Sequence, residues 1–214
     1  MNILQSATTK LGNEISLIGE SGEGKVLVVG VFHGDEPQGK YLIDKYLEQK
    51  KSNLLFIPCL NPDGMGVNAR VNANGVDLNR NFPTKNFGQD GSAAGDNPDA
   101  YYGGKEPASE IETKFVIDVI EKYKPKLILT LHAPYKIVNY DGPAENIAQK
   151  ISDIIGYPVE ASIGYPTPGS FGTYCGVERN IPTITLELDE EIPVEQLIQP
   201  VFEIFDMLKY FNIS

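Results

Sequence analysis

The chain has 214 residues, 41% hydrophobic and 22% charged, with a formal net charge of −11. This length suits one domain, 1–214, that buries its core without disulfide staples, and the acidic balance argues against nucleic acid or an anionic membrane as a main partner. No segment approaches the ~20 apolar residues of a membrane span, "MNILQSATTKLGNEIS" lacks a signal-peptide pattern, and two cysteines without metal-binding spacing, Cys59 and Cys175, fit a reducing compartment, so the expected location is cytoplasmic.

In chain order, "EISLIG" and "KVLVVGVF" read as strands, and residues 37–50 follow as a helix with Tyr41, Leu42, Tyr46 and Leu47 on one broad face. "NLLFIPCL" is a third strand. Residues 84–107 form a long polar loop rich in Gly, Asn and Asp, a length that is usually functional or mobile. In "SEIETKFVIDVIEKY", Ser109 and Glu112 have capping-box spacing at a helix start. "KLILTL" is a strand, "AENIAQKISDIIG" a helix and "TITLEL" a strand. "PVEQLIQPVFEIFDMLKYF" closes the chain as a helix, with Pro200 a possible kink or turn. Strands alternating with helices predict an α/β fold: a single-domain, three-layer α/β/α arrangement around a mixed, mainly parallel central sheet.

The chain contains only two histidines, and each follows a predicted strand: His33 after "VLVVGVF" and His132 after "KLILTL". Open α/β sheets place ligands just beyond the carboxyl ends of strands, so remote segments meet there when their strands are neighbours. A lone histidine in such a place is more often structural; two out of two are harder to dismiss. Glu36 follows His33 by three residues, a spacing that lets imidazole and carboxylate face one point if the turn is helical. His33, Glu36 and His132 are thus a candidate His₂Glu set, the three-ligand pattern of catalytic zinc. Asp35 points elsewhere, as a supporting or capping group or as a solvated acid.

Between the histidines lies "NPDGMGVNARVNANGVDLNRNFP", which carries Arg70 and Arg80 among turn residues with no obvious acidic run to pair them. In "TITLELDE", Ile184, Leu186 and Leu188 alternate with Thr185, Glu187 and Asp189. Glu187 is either a carboxylate held in a buried strand or a surface acid at the strand end, beside Asp189, Glu190 and Glu191.

The ordered set HGDE, NPDG, GVDLNRNFP and LHAP resembles the zinc carboxypeptidase family, the metallocarboxypeptidases of the carboxypeptidase A type, over about 26–188. "GYPTPGSFGTYCG" and "IPTITLEL" resemble its bacterial, murein peptide amidase-like branch. The resemblance implies a zinc carboxypeptidase-like fold and one zinc ion per chain, with His33 and Glu36 as its first two ligands and His132 as the third. It implies that Asn79 and Arg80 bind the substrate's terminal carboxylate, that Arg70 polarises the scissile carbonyl and steadies the oxyanion, and that Glu187 is the general base. Tyr165 matches the mobile tyrosine over the substrate; Tyr174 competes for that role but reads as packing. The implied activity is hydrolysis of an amide bond beside a free carboxylate on a small peptide. The expected substrate is the γ-D-glutamyl-diaminopimelate bond of murein peptides, in peptidoglycan recycling. Phe171 and Gly172 stand where digestive members line a side-chain pocket, and that stretch brings no acid, so a preference for C-terminal Lys or Arg of ordinary peptides is not expected.

Two other readings stay open at the level of sequence. One is an N-acyl amino acid deacylase similar to aspartoacylase or succinylglutamate desuccinylase, which resemble the same core. The other is a non-catalytic zinc- or ligand-binding protein, whose closed site would need a fourth protein ligand such as Cys59 or Cys175. The sequence does not speak to oligomeric state.

Overall fold

The computed structural model describes residues 1–21, 25–88, 101–161 and 167–211. Its strands are β1 (Asn2–Thr8), β2 (Glu14–Gly19), β3 (Val26–Gly30), β4 (Leu55–Ile57), β5 (Leu127–His132), β6 (Ile137–Asp141), β7 (Val159–Glu160) and β8 (Thr183–Glu187). They form one sheet in the order β1-β2-β4-β3-β5-β8-β6-β7. The centre is parallel, β4 to β3, β3 to β5 and β5 to β8, while β1 with β2, β2 with β4 and β6 with β8 are antiparallel. The sheet is therefore mixed, as expected. β3 and β5 are buried along their whole length, because a central parallel strand carries helices on both faces; this is why they read as unbroken apolar runs rather than alternating ones.

The helices are α1 (Gln38–Gln49), α2 (Pro62–Gly66), α3 (Ile111–Tyr123), α4 (Glu145–Ile155) and α5 (Ile198–Leu208). α1, α4 and α5 cover one face, packing Leu42, Tyr46, Ile151 and Phe205 against Val28, Leu129, Leu131 and Ile184. α3 covers the other, packing Phe115, Val116 and Val119 against Leu27, Val29 and Ile128. Two cores separated by one sheet make the three layers.

Three strands, β1, β6 and β7, lie outside the apolar runs. β1 is a largely exposed strand at the sheet edge with only polar-interrupted apolar residues, and β6 ("IVNYD") buries few of its side chains. The Ser109–Glu112 capping box does not form. α3 begins one residue later than that box requires, with Glu110 at its N-cap and no side-chain cap. Ser109 Oγ instead donates to Glu110 Oε1 at 2.6 Å, and Glu112 is buried beside Asn72. Pro200 falls in the first turn of α5, where a missing N–H costs no intrahelical bond and no kink is needed.

Candidate metal centre and active-site cleft

β3 and β5 are neighbours and end at the same level, with Gly30 opposite Leu131. Their C-terminal extensions therefore bring His33 and His132 together, ring centroids 5.0 Å apart. After β3 the chain turns sharply. Val31 adopts φ 55°, a conformation that a β-branched residue rarely takes and that clusters at functional sites. Gly34 packs directly on the α2 backbone: a Cβ there would lie 2.1 Å from the Gly64 carbonyl carbon. Only glycine fits that contact, which explains why glycine separates His33 from the acids. The Glu36 N–H then bonds to the His33 carbonyl at 3.1 Å, closing the turn that makes the His-x-x-Glu spacing converge.

Both histidines aim Nδ1 at Glu36. His33 Nδ1 is 2.7 Å from Oε1 and His132 Nδ1 is 3.0 Å from Oε2. One ligand atom from each of the three side chains lies within 4.8 Å of the others, and all three are buried. Two imidazole nitrogens and a carboxylate converging this closely suit zinc, which accepts nitrogen and oxygen donors in a compact tetrahedral set. The donor set therefore fits the ion that the sequence resemblance implies.

The electrostatics follow from burial and charge. Burial favours neutral His33, yet the carboxylates of Glu36 and Asp77 overcome it and raise the imidazole to about 9. His132 is equally buried but is raised by Glu36 alone, and there burial, aided by His33 and Arg70, wins and lowers it. Burial would raise Glu36, but the two imidazoles beside it hold it far below the usual carboxylate range.

Asp77 is a residue that the sequence reading missed. It is fully buried, and its Oδ1 lies 3.1 Å from His33 Nε2 while also accepting from the Asn79 N–H at 2.8 Å. Its Oδ2 accepts from Arg70 Nε at 3.1 Å. The signal was the aspartate of "VDLNR", which caps the short 3₁₀ turn Leu78–Arg80 and in doing so points its carboxylate at a histidine 44 residues away. The segment shows no obvious acidic run to pair its arginines, yet Arg70 pairs with the single acid Asp77 and approaches Glu36 Oε1 at 3.5 Å.

Arg70, Asn79, Arg80 and Glu187 line one cleft of about 270 Å³ together with His33, Glu36 and His132. Asn79 Oδ1 accepts from the Phe171 N–H at 2.9 Å, which leaves its NH₂ group to donate. Arg80 is 3% exposed, and its Nε is buried without a hydrogen-bond partner among the described residues. Glu187 sits directly across from His132 in the β5–β8 register and is 7% exposed, with Oε2 buried and without a partner among the described residues. Burial first, and then the charge of Glu36, push its carboxyl up to about 8. A strand-end surface acid would not be buried; the neighbouring acids Asp189 and Glu191 instead pair with Lys136.

Asp35 is exposed at the cleft edge, as a solvated acid. Tyr165 lies outside the described residues. Tyr174 is buried against Phe82, with the Arg179 guanidinium over its ring, which is packing. Cys59 and Cys175 are buried free thiols outside the three-residue cluster. A further missed residue is Tyr101, whose ring lies 5.1 Å from Arg70 Cζ and 5.6 Å from Arg80 Cζ. Nothing marked it within the polar loop 84–107, of which residues 89–100 lie outside the described residues.

Comparison with known proteins agrees with this geometry. The family model "Zinc carboxypeptidase" (Peptidase_M14) matches residues 6–150. Murein peptide amidase A of Escherichia coli K12 is 30% identical over 193 residues, covering 86% of this chain and 79% of that protein. Its namesake from Vibrio campbellii is 35% identical over 173 residues, covering 76% and 68%. The crystal structure of murein-tripeptide amidase from Escherichia coli O157 superposes with a TM-score of 0.84 at 26% identity, covering 97% of this chain and 91% of that one. Carboxypeptidase A from Helicoverpa armigera shares the fold, with a TM-score of 0.71 at 17% identity over 97% of this chain and 67% of that one. The chain belongs to the zinc carboxypeptidase family and is a hydrolase.

Proposed function

We propose that this enzyme is a zinc-dependent amidase that hydrolyses an amide bond beside a free carboxylate, the γ-D-glutamyl-diaminopimelate bond of murein peptides. The observation that carries the reading is a pair of buried atoms of opposite character in one cleft that have no partner among the described residues: Arg80 Nε, a donor, and Glu187 Oε2, an acceptor. Leaving such atoms unsatisfied costs about 1–3 kcal/mol each, a cost that a substrate carboxylate and a reacting water would remove. The names of the murein peptide amidase relatives supply the substrate class.

His33, Glu36 and His132 would hold one zinc ion. When bound, zinc supplies Lewis acidity, acidifying water and polarising a carbonyl. Arg80 and Asn79 clamp the terminal carboxylate, Arg80 through a planar fork suited to two parallel hydrogen bonds. That clamp holds the scissile amide in register. Arg70, oriented by Asp77, donates to the oxygen that becomes negative, a contact worth roughly 3–4 kcal/mol. Glu187 takes the proton of the attacking water and delivers it to the leaving amine. We assign Tyr165 to cover the substrate, on the resemblance alone. The reading extends to a cytoplasmic place in peptidoglycan recycling. No helix among the described residues is long and apolar enough to cross a membrane.

The test is release of diaminopimelate from murein tripeptide by zinc-loaded protein, run beside N-acyl amino acids and ordinary C-terminal dipeptides. Cleavage of the tripeptide that stops on chelation supports the proposal; cleavage of the acyl amino acids alone overturns it.

A further inference from the structure

Arg80 is a buried cation that makes no ion pair among the described residues. A guanidinium offers five N–H donors and no acceptor. Among the described residues the Arg80 side chain makes one hydrogen bond, from Nη1 to the Asn79 carbonyl at 2.7 Å. Asp77 feels the Arg80 charge, but its oxygens are taken by His33, the Asn79 N–H and Arg70 Nε. Burying a charge is costly unless something compensates it. What lies against Arg80 is an aromatic ring. The Tyr101 centroid is 5.6 Å from Arg80 Cζ and 5.1 Å from Arg70 Cζ, so one ring serves both arginines.

The placement of that ring is built into the chain that follows it. The Tyr102 carbonyl accepts from the Asp77 N–H at 2.8 Å. Gly103 packs on the arginine's own backbone, where a Cβ would lie 2.5 Å from the Arg80 carbonyl oxygen. The Gly103 carbonyl accepts from Asn81 Nδ2 at 2.7 Å. Asp77 and Asn81 are the two caps of the 3₁₀ turn Leu78–Arg80. The turn that supplies Arg80 therefore also fixes the residue whose ring covers it. Tyr101 is half-buried and lines the cleft itself.

The chemistry explains why a ring suits this place better than an acid. A carboxylate beside Arg80 would neutralise it, but it would occupy the N–H donors that a substrate carboxylate needs and would repel that carboxylate. An aromatic face attracts a cation through its quadrupole and takes none of the in-plane hydrogen bonds through which a guanidinium grips an anion.

We infer that Tyr101 is the positioning residue of both arginines, a shared platform that holds the Arg70 and Arg80 guanidiniums toward the cleft while leaving their donors free for substrate. This rests on the proposed hydrolase reading and deepens it: the carboxylate clamp and the oxyanion donor become one unit, set by a side chain from neither of their own segments.

The test uses zinc-loaded wild type, Tyr101→Leu and Tyr101→Phe. The chain has three arginines, Arg70, Arg80 and Arg179, so each can be followed through its side-chain Nε–H signal by NMR. In Tyr101→Leu the heteronuclear NOE of Arg80 should fall to that of a mobile side chain, because its Nε has no partner among the described residues. Arg70, held by Asp77, should loosen less. Arg179 lies over Tyr174 instead; its signal should not change and reports an intact fold. Tyr101→Phe keeps the ring and should restore the wild-type pattern. In kinetics, Tyr101→Leu should lower kcat/KM about tenfold on the tripeptide ending in diaminopimelate, chiefly through KM. The loss should be smaller on the same peptide amidated at that carboxylate, and Tyr101→Phe should recover most of it. In an Arg80→Ala background, Tyr101→Leu should no longer distinguish acid from amide. A rigid Arg80 in Tyr101→Leu, equal losses on acid and amide, or a phenylalanine variant as impaired as the leucine one overturns the inference. Tyr101→Met takes the place of Tyr101→Leu in every arm if the latter does not fold. If wild type cleaves neither peptide, the hydrolase reading fails on its own, and the arginine signals, which need no substrate, decide the platform.

Discussion

The Asp77 carboxylate holds the far nitrogen of His33, Nε2, at 3.1 Å. This contact settles which nitrogen faces Glu36, because an imidazole fixed at Nε2 by an acid presents Nδ1 to the centre. Partners of this type typically set metal affinity by 10–100-fold. Asp77→Asn keeps an acceptor but removes the charge, so zinc affinity should fall about 10–100-fold in a competition titration against a chromogenic chelator. Unchanged affinity would assign Asp77 to orienting Arg70 alone.

Zinc itself is the second prediction. Purified protein should carry about one zinc per chain, as a three-ligand catalytic site requires, and His132→Ala should carry almost none. Because a ligand that binds only the folded state stabilises it, chelation should lower the thermal midpoint of wild type and leave that of His132→Ala where it was. Equal zinc in the two proteins would remove His132 from the ligand set.

Arg80 separates anchoring from architecture. Its Nε has no partner among the described residues, while Nη1 donates to the Asn79 carbonyl at 2.7 Å. Arg80→Ala should cost on the order of 2–5 kcal/mol in kcat/KM for a substrate with a free terminal carboxylate. It should cost far less for the same peptide amidated, since the lost partner is the carboxylate. Equal losses on both would mean that Arg80 only supports the turn around Asn79.

How much of this was legible in the chain depends on what kind of signal each element carries. β3 and β5 announce themselves because burial on both faces demands continuous apolar residues, and His33 and His132 stood out because they follow those runs. β6 was silent because its sequence, "IVNYD", serves a polar face, and its two polar positions, Asn139 and Asp141, break the pattern by which strands are recognised. Asp77 was hidden for a different reason. Its role is a contact between segments 44 residues apart, and a buried aspartate in a turn-rich stretch looks the same as any capping residue. The capping box at Ser109 shows the converse, a good local pattern overridden because Asn72 and Asn74 draw Glu110 and Glu112 into a tertiary network.

The last prediction turns on Glu187, whose buried Oε2 has no partner among the described residues and whose carboxyl is raised to about 8 by burial and by Glu36. Glu187→Gln preserves shape and removes the basic oxygen, so it cannot take a proton from water or return one to an amine. General acid–base assistance contributes about 10²–10⁴-fold, and because one group serves both proton transfers, kcat should fall toward the upper end of that range or beyond. Zinc should stay bound, which distinguishes a base from a ligand. Stability gives an independent reading in zinc-free protein. An acid whose folded value is raised stabilises the fold only while protonated. That contribution is complete below its ordinary value of 4.5 and is lost as pH rises through about 8. Wild type should therefore lose about 2–4 kcal/mol relative to Glu187→Gln between pH ~5 and pH ~8.5, so that the variant is the more stable protein at the alkaline end. Denaturant melts of both chelated proteins across that window measure it. A surface acid would show parallel curves and nearly unchanged turnover, and a ligand would show lost zinc with lost activity. Full zinc, turnover reduced by orders of magnitude and curves that diverge above neutrality are the combination expected only of a buried base.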